Sequence, residues 1–165
     1  MAGQAVILKG TNGAGKTTLL KTLAGLHPLA AGKITSAGRS IFIGHENGLN
    51  PIFTVEECLQ FYARLWGARY CPEVLSVFGL AAYRYWPVVK LSQGFQRKVA
   101  LSRLSLGAEK LWLLDEPTAH LDTVGESVFM KLLQSHLKDG GGAVISAHKN
   151  LFDQLKNSQT VQVAA

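Results

Sequence analysis

The chain has 165 residues, of which 47% are hydrophobic and 17% charged, and this composition is that of one globular domain and excludes a disordered chain. No apolar run approaches the roughly 18 residues that a membrane-spanning helix requires. The formal net charge of +6 suits an anionic partner, but no block of like charges is present, so a solvated basic surface is the simpler interpretation. Cys58 and Cys71 lack metal-ligand spacing, and we predict that both thiols are reduced and partly buried.

Strands and helices alternate from the start of the chain. The segment QAVILKG predicts a buried strand that runs into a glycine turn, GKTTLLKTLAGL predicts the helix that follows, and SIFIGHE predicts a second strand. From Thr54 to about Gly79 the pattern is helical, and Thr54 with Glu57 three residues later is typical of a capping box. A further helix is predicted over SQGFQRKVALSRLSLG, with Ser92 at its start.

The alternation continues in the second half of the chain. The segment KLWLLDEP predicts an apolar strand that ends in two acids, and DTVGESVFMKLLQSHLKDG predicts a helix. GAVISAH predicts a further strand, and the residues through TVQVAA predict a final helix and strand. Alternation on both sides of a helical insert predicts an α/β fold with a mostly parallel sheet flanked by helices. We predict a single domain over residues 1–165, in which a helical subdomain at about 45–100 is inserted into a core of 1–44 and 101–165.

The sequence GTNGAGKT, between the first strand and the first helix, fits the phosphate-loop pattern G-x-x-x-x-G-K-[ST]. The glycines let successive backbone N–H groups face a phosphate, Lys16 can bridge the β- and γ-phosphates, and the hydroxyl of Thr17 can bind Mg²⁺. The helix that begins there adds its positive N-terminal end. The predicted nucleotide-binding residues of this loop are Gly10, Thr11, Asn12, Gly13, Ala14, Gly15, Lys16, Thr17 and Thr18.

Two acids at the end of the strand LWLLD supply the second part of a nucleotide site. Asp115 can hold Mg²⁺ through a water molecule, and Glu116 is placed to orient or deprotonate the attacking water. A buried strand can also end in acids for structural reasons alone, but the phosphate loop favours the catalytic interpretation. We therefore predict ATP and Mg²⁺ as cofactors, Thr17 and Asp115 as metal-binding residues and Glu116 as a catalytic residue.

Between these motifs lies LSQGFQRKVALSR, and with it the chain resembles the ABC-type ATPases, which are P-loop NTPases with the signature L-S-G-G-Q before a basic helix. Leu91, Ser92 and Gly94 match this signature, whereas Gln93 and Phe95 depart from it. Ser92 and the amides of a helix N-terminus make a second anion site, and the alternative is a plain serine N-cap. The resemblance implies that Ser92 and Gly94 contact the ATP held by a second copy, so that a homodimer sandwiches two ATP molecules.

Three smaller matches follow in the order of the family. AHLD (Ala119 to Asp122) resembles the D-loop, which couples the two sites across the dimer. His148 resembles the switch histidine that contacts the γ-phosphate. His45 stands where family members carry a glutamine that reaches Mg²⁺ and the attacking water, and an imidazole can do this only when it is neutral. The resemblance thus implies catalytic roles for His148 and His45. The other histidines are expected at the surface, namely His27, His120 and His136.

The stretch GHENGLNPIFTVEECLQFYARLWG is similar to the haem-exporter ATP-binding subunit of cytochrome c biogenesis, the CcmA family, which has a histidine at the glutamine position. LSQGFQRKVALSRL, KLWLLDEPTAHLD and the tail after SAHKNLFDQL are similar as well. The resemblance implies an ATPase subunit that drives haem export together with integral membrane permease subunits, peripheral on the cytoplasmic face of the inner membrane. It also implies that haem is handled by the complex rather than bound by this chain, and no nucleic acid is expected as a partner.

The helical region from Thr54 to about Val89 is predicted to dock a membrane subunit. Its segment YRYWP (Tyr83 to Pro87) places three aromatic side chains around one arginine, a composition enriched at interfaces, although packing of the subdomain core would explain it equally well.

ABC domains begin with an antiparallel pair of strands and an aromatic residue that stacks on adenine, and this chain starts inside the strand that follows. The resemblance therefore implies that the N-terminal antiparallel strands are missing and that ATP binds weakly, with little preference over GTP. Two other functions remain open. One is a soluble ABC-type ATPase that acts on nucleic acid, and the other is a truncated, inactive remnant of an ABC domain.

Overall fold

The computed structural model describes residues 2–35, 38–107, 109–147 and 150–164. The strands in these ranges are β1 (Ala5–Lys9), β2 (Ser40–Ile43), β3 (Leu111–Asp115), β4 (Gly142–Ser146) and β5 (Ser158–Gln162). The α-helices are α1 (Lys16–Leu23), α2 (Val55–Trp66), α3 (Val74–Val77), α4 (Gln93–Ser102) and α5 (Thr123–Lys138). Short 3₁₀ helices cover Ala81–Tyr83, Val88–Lys90, Arg103–Ser105 and Asn150–Gln154.

The strands of the described residues form one sheet in the order β2-β3-β4-β1-β5, and all neighbours in it are parallel. Parallel strands cannot be joined by hairpins, so helices and long connections lie between them along the chain. Strand β4 is buried over its whole length, as expected for a central strand covered on both faces. The predicted α/β fold with a mostly parallel sheet flanked by helices is confirmed.

The chain forms two compact units. The first contains Met1–His45, Glu109–Pro117 and Leu132–Ala165, and therefore the whole sheet with α1. The second contains Glu46–Ala108 and Thr118–Lys131, and therefore α2, α3 and α4. The predicted boundaries of a helical subdomain at about 45–100 stay a prediction, because a compact unit is not by itself an independent domain.

A small apolar cluster in the first unit attaches α1 to the sheet. Leu20 of α1 is fully buried against Leu8 of β1, Leu113 of β3 and Val144 of β4. Burying side chains of this kind stabilises the fold by about 1.5–3 kcal/mol each. This packing fixes the start of α1 close to the carboxyl ends of β1 and β3, which is where the candidate site lies.

Helix α2 of the second unit begins and ends at sequence signals. The hydroxyl of Thr54 accepts a hydrogen bond from the N–H of Glu57 at 3.2 Å, and the carboxylate of Glu57 accepts one from the N–H of Thr54 at 2.8 Å. The predicted capping box is thereby confirmed. The helix ends at Trp66, because Gly67 takes a left-handed conformation with φ 69°. The prediction of helix up to about Gly79 is wrong beyond this point, where only the single turn α3 follows.

Three further expectations are corrected by the structure. Cys58 is 1% exposed but Cys71 is exposed, so only the first thiol is buried; both are free. His136 is half-buried rather than at the surface, because its ring stacks on the indole of Trp112 with centroids 3.7 Å apart. The final predicted helix forms only as the short 3₁₀ segment Asn150–Gln154. None of the described helices is long and apolar enough to cross a membrane.

Candidate nucleotide-binding site

The phosphate loop connects β1 to α1 through backbone conformations that glycine supplies. Gly15 is the N-cap of α1 with φ 92°, in the left-handed region that other residues rarely adopt. Since it has no side chain that could cap the helix, the N–H groups of the first turn are left to an external acceptor. Gly10 is required for another reason, because a Cβ there would lie 2.4 Å from the carbonyl oxygen of Val163. The loop thus presents a helix N-terminus suited to an anion.

The remaining loop residues differ in exposure. Thr11, Asn12 and Gly13 are exposed and Ala14 is buried, with a turn hydrogen bond of 3.2 Å from the N–H of Ala14 to the carbonyl of Thr11. The carbonyl of Thr18 accepts a hydrogen bond from the hydroxyl of Thr22 at 2.8 Å, inside α1.

Lys16 closes the loop on itself. Its side chain is largely buried, and its Nζ donates to the carbonyl oxygens of Gly10 at 2.8 Å and Thr11 at 2.9 Å. The ammonium group therefore already lies inside the curve of the loop. A phosphate entering there would meet a cation, the glycine amides and the helix N-terminus together.

Thr17 and Asp115 come from distant parts of the sequence and meet at this loop. The hydroxyl of Thr17 donates to Oδ2 of Asp115 at 2.8 Å, and Asp115 is only 3% exposed. A hydroxyl and a carboxylate are the hard oxygen donors that Mg²⁺ binds in nucleotide sites. No group of three or more His, Cys, Asp or Glu side chains in the described ranges could hold a metal alone. A metal ion here would thus take its other ligands from phosphate and water.

Ser146, at the end of β4, belongs to the same cluster, and the sequence analysis missed it. Its hydroxyl donates to Oδ1 of Asp115 at 2.5 Å and accepts a hydrogen bond from the N–H of Glu116 at 3.0 Å. The signal was a single hydroxyl in the otherwise apolar run GAVIS. Only the pairing of β3 with β4 reveals its use, because their register sets Asp115 opposite Ser146.

Two further predicted residues lie in or near this edge of the sheet. Glu116 is half-buried and follows β3 with φ 46°, which is a strained conformation for a residue other than glycine. His45 is exposed and follows β2, whose Ile43 pairs with Leu114 of β3, so His45 leaves the sheet at the same edge as Glu116. The predicted switch residue His148 lies outside the described residues.

Ser92 and Gly94 belong to the second unit. Ser92 is exposed and is the N-cap of α4, where its hydroxyl accepts a hydrogen bond from the N–H of Phe95 at 3.3 Å. A Cβ on Gly94 would lie 2.6 Å from the carbonyl oxygen of His120, so glycine is needed for this close approach. The signature-like segment therefore packs directly on the D-loop-like segment within one unit.

An ion pair adds to this packing. Nζ of Lys98 lies 3.1 Å from the carboxylate of Asp122, whose Oδ1 also accepts the N–H of Gly125 at 2.8 Å. The hydrogen bond from Gly125, followed by the one from Lys98, lowers the pKa of Asp122. Phe95, which departs from the family signature, packs on Tyr83 with ring centroids 4.5 Å apart and lies 5.0 Å from Nζ of Lys98.

Comparison with known proteins identifies the family of the chain. The ABC transporter family matches the chain over residues 1–119. The chain belongs to the ABC transporter family. Cytochrome c biogenesis ATP-binding export protein CcmA from Paracoccus denitrificans is 44% identical over 151 residues, which are 91% of this chain and 72% of that protein. CcmA from Ruegeria pomeroyi is 43% identical over 150 residues, 90% of this chain and 74% of that protein. The predicted resemblance to an ABC ATP-binding subunit of the CcmA type is thereby confirmed.

A solved ABC structure agrees on the fold. The ATP binding subunit of an ABC transporter superimposes with a TM-score of 0.89 at 23% identity, covering 99% of this chain and 75% of that one. As an ABC ATP-binding subunit, the chain binds ATP and is an ATP hydrolase.

Proposed function

We propose that this ABC subunit hydrolyses ATP to drive a membrane export complex, with haem export in c-type cytochrome biogenesis as its task. The observation that carries the ATPase part is the contact of Thr17 with Asp115 behind the phosphate loop. It joins a phosphate site to a carboxylate with the donor chemistry of a magnesium site. The export part is supported by the names of the relatives, which are cytochrome c biogenesis ATP-binding export proteins.

The residues of the first unit have distinct roles in this proposal. Lys16 leaves its carbonyl partners and binds the β- and γ-phosphates. Thr17 and Asp115 would hold Mg²⁺, with Asp115 acting through a water molecule. When bound, Mg²⁺ would supply neutralisation of the charge on the transferred phosphoryl group. Glu116 orients or deprotonates the attacking water from the end of β3. His45 and His148 are proposed to contact the water and the γ-phosphate.

The second unit supplies a phosphate contact to another copy of the chain. Ser92 and Gly94 stand at the N-terminus of α4, where the helix amides favour an anion. We propose a homodimer with two ATP molecules between the copies, each held by Lys16 of one copy and Ser92 of the other. In mixed dimers, one copy with Lys16→Ala and one with Ser92→Arg should lose the same composite site and keep the other. Loss of both sites, or full turnover by a monomer, would refute the arrangement.

An apolar surface on the second unit is proposed to bind the membrane subunits. Its side chains are exposed despite their size, and they are Ile52, Phe61, Leu65, Tyr85, Trp86 and Val89. Tyr85 is 69% exposed and Trp86 is 49% exposed, which favours docking over packing of a core.

A cavity of about 410 Å³ opens within the same unit. It is lined mainly by apolar side chains, including Phe53, Phe61 and Tyr62. Backbone hydrogen bonds from the N–H of Val88 to the carbonyl of Phe53 at 2.9 Å and from the N–H of Val89 to the carbonyl of Pro51 at 3.0 Å hold residues 51–53 beside residues 88–89. Such a concave, aromatic site suits the side chains of a cytoplasmic segment of a permease subunit. The chain would then lie peripherally on the inner membrane, and haem would be handled by the complex.

Co-purification tests the export proposal. The tagged chain, expressed in a cytochrome c-producing cell, should recover integral membrane proteins, and the isolated complex should hydrolyse ATP in a vanadate-sensitive way. Haem content should rise in the assembled complex and not in the chain alone. Recovery of nucleic acid without membrane proteins would refute membrane export and favour a soluble ABC ATPase.

A further inference from the structure

We propose that Ser146 is a positioning residue for ATP hydrolysis, which orients Asp115 and the backbone of Glu116 together. This inference rests on the proposed ATPase function and extends it to a residue that lies outside the family motifs. Ser146 has no exposed surface, so its hydroxyl serves only groups inside the protein. Ser146 lies in β4, opposite Asp115 of β3 and Leu8 of β1. It is therefore in the middle of the row of strand carboxyl ends at which the site lies.

The hydroxyl of Ser146 fixes one side of the Asp115 carboxylate. A serine hydroxyl has a single proton, and here that proton goes to Oδ1 of Asp115 at 2.5 Å. Oδ2 of the same carboxylate accepts from Thr17 at 2.8 Å. Each oxygen therefore has its own donor, and rotation of the carboxylate would break both hydrogen bonds. Because the Thr17 hydroxyl also has lone pairs, it could bind Mg²⁺ and keep its proton on Oδ2, and the bond from Ser146 would then hold the other oxygen of Asp115 in place.

The hydroxyl oxygen of Ser146 also holds the backbone N–H of Glu116, the proposed catalytic residue. The N–H of Glu116 donates to Oγ of Ser146 at 3.0 Å and to its carbonyl oxygen at 3.2 Å. These two hydrogen bonds constrain the backbone of Glu116, whose φ of 46° persists only where the surroundings impose it. Ser146 thus couples the orientation of the metal-binding carboxylate to the direction in which the side chain of Glu116 leaves β3.

Removal of the hydroxyl should affect metal-dependent steps and spare binding of the phosphates. Ser146→Ala leaves the phosphate loop unchanged, so ATP affinity in EDTA should stay within about twofold of wild type. It leaves Oδ1 of Asp115 without this donor in a buried place, so Mg²⁺ should strengthen ATP binding by a factor several times smaller than in wild type. Turnover should fall about tenfold or more, because a small displacement of a catalytic group is costly.

The experiment compares Ser146→Ala with Ser102→Ala in the full chain assembled with its membrane partners. Ser102 is equally buried, and its hydroxyl donates to the carbonyl of Lys98 within α4, so it is a matched control. Calorimetry measures ATP affinity with EDTA and with Mg²⁺, and turnover is measured separately. Thermal unfolding reports any common loss of stability.

Each result bears on the positioning role. A reduced Mg²⁺ effect and reduced turnover in Ser146→Ala alone support it. Equal turnover in Ser146→Ala and wild type, an equal loss of affinity with and without Mg²⁺, or the same loss in Ser102→Ala overturns it. If Ser146→Ala does not fold, Ser146→Cys keeps the size with a weaker donor, and wild-type turnover in that variant likewise overturns the role. Two other outcomes would instead refute the proposed function itself: wild-type protein binds no ATP, or Lys16→Ala binds ATP as tightly as wild type does.

Discussion

A single methyl group at Gly94 is expected to reduce ATP turnover because it meets backbone rather than a movable side chain. In Gly94→Ala the new Cβ would lie 2.6 Å from the carbonyl oxygen of His120. Real Cβ atoms keep at least 3.0 Å from such neighbours, so α4 and the segment of His120 must separate by 0.4 Å or more. Ser92 stands two residues before Gly94 at the start of the same helix and would move with it.

Two effects of opposite sign decide the stability of Gly94→Ala. Alanine stabilises a helix by roughly 0.5–1 kcal/mol relative to glycine, whereas overpacking costs about 1–3 kcal/mol. The expected net loss is about 1 kcal/mol, which is small beside the stability of a domain. The effect on turnover should be larger, about tenfold, because a misplacement of 1 Å in a catalytic arrangement can cost about a hundredfold.

Urea unfolding and ATPase rates measure the two effects separately. Gly38→Ala is the matched control, since a Cβ on Gly38 would meet no heavy atom within 4 Å. We expect wild-type turnover from Gly38→Ala and a clear loss from Gly94→Ala at a temperature where both are folded. Wild-type turnover in Gly94→Ala would show that the contact with His120 does not position the helix, and the reasoning would fail.

Three further predictions concern other parts of the chain. Glu116→Gln should slow hydrolysis by about a hundredfold or more while calorimetry still detects ATP binding, because the base is lost and the phosphate loop is kept. Burial against Trp112 lowers the pKa of His136 from 6.5, so the unfolded chain takes up that proton first and the free energy of unfolding should fall as the pH drops below about 6.5. Tyr85→Ala with Trp86→Ala should weaken association with membrane partners, measured by co-purification, without a change in thermal unfolding.

Controls for these predictions use matched residues. His136→Gln should reduce the difference in the free energy of unfolding between pH 5.5 and pH 7.5, measured by urea titration. An unchanged difference would contradict the argument. Leu26→Ala, at a residue 65% exposed in the first unit, should leave partner association intact. Retained turnover in Glu116→Gln would reject its assignment as the base.

Short-range signals in the sequence predicted most of the elements. The capping box of Thr54 and Glu57 and the N-cap at Ser92 depend on residues three positions apart, and both form as predicted. The alternation of apolar runs predicted the parallel sheet in the same way. The stop of α2 at Gly67 was missed although its glycine was visible, because the apolar pattern continues past it.

Contacts between distant residues could not be predicted in this way. Ser146 reaches Asp115 only because β3 and β4 pair in one particular register, and a shift by one residue would turn its side chain to the other face. The stacking of His136 on Trp112 likewise depends on where the end of α5 lies against β3. The roles assigned to Lys16, Glu116 and Ser92 stay predictions, since a motif gives a residue its chemistry and not its measured activity.

The position of β1 inside the sheet has a consequence for synthesis on the ribosome. β1 lies between β4 and β5, and Ala5 pairs with both Ala143 and Ser158. At a translation rate of roughly 5–20 residues per second, about 8–30 s pass between the appearance of β1 and that of β5. For most of this interval β1 has neither of its neighbouring strands, because β4 emerges only shortly before β5. Nucleotide can therefore be bound only after β5 has emerged, and β1 needs protection from wrong pairing until then.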